Sequence, residues 1–138
     1  MAHAESFHIA TSGRSTLEIT KEVERVITNS WIVTGLANVF IHHTSASIIV
    51  CENADSTVRS DLEGFLSRIA PDDDPSYKHT TEGPDDMPAH LRTILTNCSI
   101  NLPIREGRLD LGTWQGIFLY EHRAEPFSRR ITVTVLGK

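Results

Sequence analysis

The chain has 138 residues, of which 39% are hydrophobic and 22% charged, and a net charge of −5. That length supports one hydrophobic core of ordinary size, so a single domain over residues 1–138 is expected. The acidic balance argues against a nucleic-acid surface, which needs clustered Lys and Arg, and no window nears the roughly 20 apolar residues of a bilayer span. The N-terminus lacks the basic-then-apolar layout of a secretory signal, and the expectation is a soluble, cytoplasmic protein with neither membrane nor nucleic acid as partner. Cys51 and Cys98 have no CxxC spacing and read as reduced, core-like thiols.

In chain order, a strand is expected at about 5–11, a turn at Ser12-Gly13-Arg14 and a short strand at 15–18. Ile19, Val23, Val26 and Ile27 then fall on one face of a helix, with Thr20 as its cap. A long apolar run, 36–51, reads as strand. Val58, Leu62, Phe65, Leu66 and Ile69 repeat the helical spacing behind Asp55. The polar run from Pro71 to Pro84 is a loop long enough to suggest function. A short helix follows in "DDMPAHLRTIL", capped by Asp86, with Pro88 in its first turn and an apolar stripe of Met87, Leu91, Ile94 and Leu95. Strands at 98–104, 108–111, 115–122 and 129–136 complete the chain, with "REG" as a hairpin turn at 105–107. The fold class is α+β, mainly an antiparallel β-sandwich with two or three packed helices.

The stretch "FIHHTSASIIVCEN" sets His42 and His43 inside the long strand. Strand alternation gives His42 the apolar face of Phe40, Ala46, Ile48 and Val50, and gives His43 the small polar face of Ser45 and Ser47, where a ligand has room. His90 sits one step off the third helix's stripe, His79 lies in the long loop, and His122 closes "WQGIFLYEH" beside Glu121. Four histidines from four elements suit a site assembled in space, because neutral imidazole is the commonest metal ligand and carboxylates can complete the shell. No HExxH or HxH pair is present, and satisfied core histidines are the plain alternative. Glu82, Asp85 and Asp86 add oxygen donors, or else Asp85 and Asp86 cap the helix. Gly112 and Gly116 flank Trp114 and Gln115 and mark either a sheet bulge or a close approach. Arg129 and Arg130 open the last strand, as edge protection or as a phosphate clamp. His3 and His8 carry no assignment.

"HTSASIIVCENAD", "EGPDDMPAHLRT", "GTWQGIFLYEHR" and the closing "RRITVTVLG" together resemble the YjbQ-like family over the whole chain, in order. The resemblance implies a compact α+β sandwich assembled as a homotrimer. It also implies secondary thiamine-phosphate synthase activity, in which hydroxymethylpyrimidine diphosphate and a thiazole phosphate are joined with loss of pyrophosphate. By match to those motifs, His43, His79, His90 and His122 are expected to bind metal, while Glu121, Asp86 and Gln115 are expected to be catalytic. Ser45, Asn53, Asp55, Trp114, Arg129 and Arg130 are expected to bind a small phosphorylated substrate. The cofactor expected is a divalent ion, zinc or another transition ion from the imidazoles, with magnesium in view because the reaction handles diphosphate. Metal-dependent hydrolysis and a non-enzymatic metal- or ligand-binding role stand as alternatives.

Overall fold

A computed structural model describes all of residues 1–138. Strand β1 (Ala2–Ser12) pairs with β8 (Pro126–Gly137), which continues to β3 (Gly35–Ile41), β5 (Ser99–Arg105) and β6 (Arg108–Leu109). A second sheet runs β2 (Ser15–Glu18), β7 (Gln115–Glu121), β4 (Ala46–Glu52), and every pairing in both sheets is antiparallel. The helices are α1 (Thr20–Ser30), α2 (Thr57–Ile69) and α3 (Asp86–Leu95). The main core joins Val23, Val26 and Ile27 of α1 to inward residues of both sheets, such as Val39, Ile48, Leu119 and Val133. On its other face the small sheet buries Ile49, Phe118 and Tyr120 against Leu66 of α2. Strands covered on both faces explain why "IIV" and "IFLY" are unbroken apolar runs rather than alternating ones.

The apolar run 36–51 is two strands. β3 ends at Ile41 in the large sheet, β4 begins at Ala46 in the small one, and residues 42–45 carry the chain between the two. The alternation expected through His42 and His43 therefore stops at Ile41. His42 stays beside Phe40, its ring edge-on at 4.8 Å, but Ala46 and Ile48 belong to the other sheet and are buried. The hairpin at 105–107 forms as expected: Glu106 and Gly107 both have positive φ, and Arg105 pairs with Arg108, the pattern of a type I′ turn.

Two helix details depart from the expected pattern. Thr20 does not cap α1; its hydroxyl donates to Glu18 (2.8 Å) and accepts the Ile117 amide (2.9 Å), tying the helix start to β7. In α3 the C-terminal half of the apolar stripe faces outward, with Ile94 79% and Leu95 59% exposed and Met87 and Leu91 half-buried, while Asp86, Ala89 and Arg92 are buried. Arg92 takes the inner face because its fully buried guanidinium is held by both oxygens of Glu63 (2.7 and 3.1 Å) and by Ser67 on α2. A guanidinium with such partners inside leaves the other side of a ten-residue helix outside.

The two sheets are pinned at one end by a buried ion pair. Glu121, the last residue of β7, accepts from Arg129 of β8 with both carboxylate oxygens and from the Thr11 hydroxyl of β1 at 2.6 Å. The amides of His122 and Arg123 donate to the same carboxylate at 3.1 and 3.2 Å.

Replacing Glu121 by Ala leaves the Arg129 guanidinium buried without its counter-charge, which costs about 3–5 kcal/mol. Calorimetry of Glu121→Ala should show a melting temperature lower by about 10 °C or more, and Glu121→Leu combined with Arg129→Met should recover most of that loss. A second outcome concerns acid. Burial pushes the Glu63 carboxyl up, but the hydrogen bonds from Arg92, Ser67 and Tyr120 outweigh it and bring it down to about 2. A depressed carboxyl contributes stability above its ordinary value of 4.5 and loses it as pH falls from 4.5 toward 2. Thermal melts across that window should fall more steeply for the wild type than for Glu63→Gln.

Candidate active site

Asp86 and His90 are one helical turn apart on α3, so both side chains reach the same side, and the long loop brings His79 to meet them. Nε2 of His79 lies 2.7 Å and Nε2 of His90 3.2 Å from Oδ2 of Asp86. The two rings pack edge-on with centroids 5.3 Å apart, and the three ligand atoms lie within 4.8 Å of one another. Two imidazoles and one carboxylate make a three-ligand set of the kind that holds a zinc-like ion with a coordination position left open. The donors fit such an ion better than magnesium, which prefers oxygen.

Arg123 holds this trio in place. Its guanidinium donates to Asp86 Oδ1 (2.8 Å), to Asp85 Oδ2 (3.0 Å) and to the Glu82 carbonyl (2.9 Å), and Asp85 also accepts the Ala124 amide at 2.8 Å. Burial pushes Asp86 up, but the hydrogen bond from His79 and the charge of Arg123 outweigh it, so its carboxyl titrates below the ordinary carboxylate value. In Asp85 burial acts the same way and is outweighed by the Ala124 amide and by Arg123. Neither aspartate side chain caps α3, because both are turned onto Arg123. Arg123 carries no assignment from sequence, although it directly follows His122 in "YEHR".

His90 also lines a cleft of about 910 Å³ between α3 and the chain segment that crosses from β3 to β4. His43, Ser45, Thr93 and Arg129 share its wall, and no Asp or Glu does. Nε2 of His43 accepts the Arg130 backbone N–H at 2.8 Å, so the proton of its neutral ring sits on Nδ1. Burial and then the charge of Arg129 push His43 below its ordinary value, keeping it neutral at pH 7. As it stands, the ring offers a donor rather than a lone pair. Arg129, 2% exposed, gives Nε and Nη2 to Glu121 and Nη2 to the Ser45 hydroxyl (3.0 Å), while Nη1 makes no hydrogen bond within the chain.

The other expected site residues separate from this group. His122 is fully buried, its Nε2 2.7 Å from the Ser47 hydroxyl, and burial followed by the charge of Arg92 pushes it down to about 3. It is a neutral core histidine apart from the His79–His90 trio. Glu121 accepts from Arg129, Thr11 and two amides, so its role is to position Arg129 rather than to face a substrate as a base. Arg129 lies in β8, an interior strand between β1 and β3, which removes edge protection as its purpose. Arg130 is exposed. Asn53, Asp55, Trp114 and Gln115 gather at the opposite end of the small sheet. There Glu52 pairs with Gln115, whereas Ala46 pairs with Glu121 six residues along, a separation of roughly 20 Å. Asp55 accepts the amide and hydroxyl of Thr57 and so closes the first turn of α2. Gly116 marks a close approach and not a bulge: pairing with Cys51 is unbroken, and a Cβ there would meet Glu18 Oε2 at 2.7 Å.

Residues 5–138 match the family described as UPF0047 protein YjbQ-like. A UPF0047 protein of Synechocystis is 48% identical over 136 residues, covering 99% of this chain and 92% of that protein. UPF0047 protein YjbQ of Escherichia coli O157:H7 is 47% identical over 104 residues, 75% of each chain. Among solved structures, an uncharacterized conserved protein of the YjbQ/UPF0047 family from Clostridium acetobutylicum superposes with a TM-score of 0.88 at 34% identity, covering 96% of this chain and 99% of that one. A YbjQ-like protein of unknown function from Sulfolobus solfataricus gives 0.87 at 28% identity, with full coverage of both chains. With the family match running over residues 5–138 and a relative 48% identical over 99% of the chain, this chain is a member of the YjbQ-like UPF0047 family.

Proposed function

We propose that the cleft is the active site of an enzyme acting on a small phosphorylated substrate, with a divalent ion held by His79, Asp86 and His90. The observation that carries this reading is that His90 belongs to both features: it stands in the three-ligand group and in the wall of a cleft that has cationic and neutral donors but no carboxylate. Such a wall suits an anion, since a phosphate there meets the Nδ1–H of His43 and Nη1 of Arg129 without facing a like charge. A bound ion supplies charge to stabilise a departing phosphate or diphosphate.

The reaction we infer is formation of thiamine phosphate, the activity implied by the family resemblance. The thiazole nitrogen forms a bond to the pyrimidine methylene carbon as the carbon–oxygen bond to diphosphate breaks. His43 and Arg129 would hold phosphate oxygens, and the buried Glu121 would keep Arg129 aimed. Hydrolysis of a phosphoester is the second reading, favoured by one observation: two imidazoles and a carboxylate are the donor set of zinc hydrolases rather than of magnesium diphosphate sites. We also propose that the chain is a homotrimer. In support, the outer face of the large sheet across β3 and β8 is built from Leu36, Asn38, Phe40, Thr132, Thr134 and Leu136, with no carboxylate or lysine among them. Ile94, Leu95, Phe65 and Ile69 add exposed apolar surface on the helices. No helix is long and apolar enough to cross a membrane.

Titration calorimetry with zinc should show one ion per chain, weakened by at least about 100-fold in His90→Ala, which loses a direct ligand, and about 10–100-fold in Asp86→Asn, which keeps an oxygen but loses its charge. Purified protein given the two phosphorylated precursors should form thiamine phosphate at a rate cut about 100-fold by His43→Ala. Equal rates in the wild type and variants would remove the synthase reading. Phosphate released from simple phosphoesters instead, and lost in the same variants, would favour hydrolysis, whereas zinc binding without turnover would leave a binding protein.

A further inference from the structure

The residues that resemble functional ones lie in two clusters at opposite ends of the small sheet, and the two ends differ in composition: the cleft wall has no carboxylate, whereas the corner has three, with Arg59 as the cation beside them. The cleft presents His42, His43, His90 and Arg129 and no carboxylate, and its rim carries bare apolar side chains in Ile94 and Phe40. The far corner carries Glu18, Glu52 and Asp55, together with Trp114 at 62% exposed. That corner is built as a firm projection. The Asn53 amide donates to the Trp114 carbonyl at 3.0 Å, the Gln115 side chain accepts the Gly112 amide at 2.8 Å, and Gly116 lets Glu18 and Asn53 close over the strand. A held, solvent-facing tryptophan beside acidic groups is the composition of an interface anchor, and the cleft, with the open Nη1 of Arg129, its imidazoles and an apolar rim, is its complement.

Within one chain the two ends are about six strand residues, roughly 20 Å, apart and cannot meet. Between copies they can. Two different patches on one chain make a head-to-tail contact, which closes into a ring when the rotation allows, whereas a trimer cannot be built from one self-complementary patch. Resting on the active-site and homotrimer readings above, we propose that the cleft of one copy is completed by the Asn53–Asp55–Trp114–Gln115 corner of a second copy. The second copy supplies a carboxylate, which the cleft wall lacks and which can accept from an N–H or O–H of the substrate away from its phosphate, and its indole offers an apolar plane against which a heteroaromatic substrate can stack. This also accounts for the outward stripe of α3: Ile94 stands at the rim the corner would cover.

Cys98 lines the cleft and is exposed, which provides the test. A Cys51→Ser, Gln115→Cys chain, with Trp114 kept, is treated with a flexible bis-maleimide, whose two double bonds each add one thiol to give a thioether. Cys98 of one copy should link to position 115 of the next, giving covalent oligomers in denaturing gels. Linkage should be on the order of 100-fold faster than for Thr28→Cys in the same background, since groups facing each other in a complex meet at roughly millimolar effective concentration against about 10 μM in bulk. Adding Cys98→Ser should abolish it. Light scattering on the same sample decides the remaining outcomes: a monomer overturns both the trimer and the shared site, and an intact oligomer with linkage no faster than the Thr28→Cys control overturns the shared site alone. Because linkage needs no turnover, a protein without synthase or hydrolase activity could still pass, and the active-site reading fails or stands separately.

Discussion

The buried pairing of Glu121 with Arg129 is the interaction on which the architecture of the cleft depends. It ties the last residue of a small-sheet strand to an interior strand of the large sheet, at the end where the chain crosses between them. An isolated charge at that depth would be strongly destabilising, so the carboxylate is surrounded by donors: Arg129, Thr11 and two successive amides. Its consequence for function is indirect. With Nε and Nη2 fixed, Arg129 can turn only one nitrogen toward a ligand, so the cleft has a cation of fixed direction rather than a mobile one.

Arg123 plays the matching part on the other side. It joins the loop at Glu82, the start of α3 at Asp85 and Asp86, and the end of β7 in one guanidinium. The position of His79 relative to His90 follows from that clamp, because Asp86 receives Arg123 on one oxygen and both imidazoles on the other. The same carboxylate that gathers the imidazoles is already half neutralised by a cation. This lowers the net negative charge offered to an ion and favours ions that bind through imidazole over those that need several carboxylates.

Much of the framework could be read from residue order alone. The spacing of Val23, Val26 and Ile27 marks the inner face of α1, "REG" marks a two-residue turn, and the alternation of "RRITVTV" marks a strand with one face in the core. The meeting of His79 and His90 was legible only as separate imidazoles awaiting a common location; that Asp86, one turn before His90, joins them comes from the fold. Three features were not legible. The crossing at residues 42–45 hides inside an apolar run because both sheets bury the residues on either side. The facing of α3 inverted because a paired arginine, invisible to hydrophobic periodicity, occupies its inner side. His122 reads like its fellow histidines in sequence, yet it sits behind Ser47 in the core, since strand register and not residue type decides which ring reaches the cleft.

The account rests on two imidazoles and one carboxylate, brought from a loop and a helix to one point at the mouth of a carboxylate-free cleft. Crystals soaked in zinc and measured at the zinc absorption edge test that most directly. The account predicts an anomalous peak about 2.0–2.1 Å from a nitrogen of both His79 and His90 and about 2.0–2.2 Å from an oxygen of Asp86. A map with no peak at these three residues, in crystals whose zinc binds elsewhere or not at all, would contradict it.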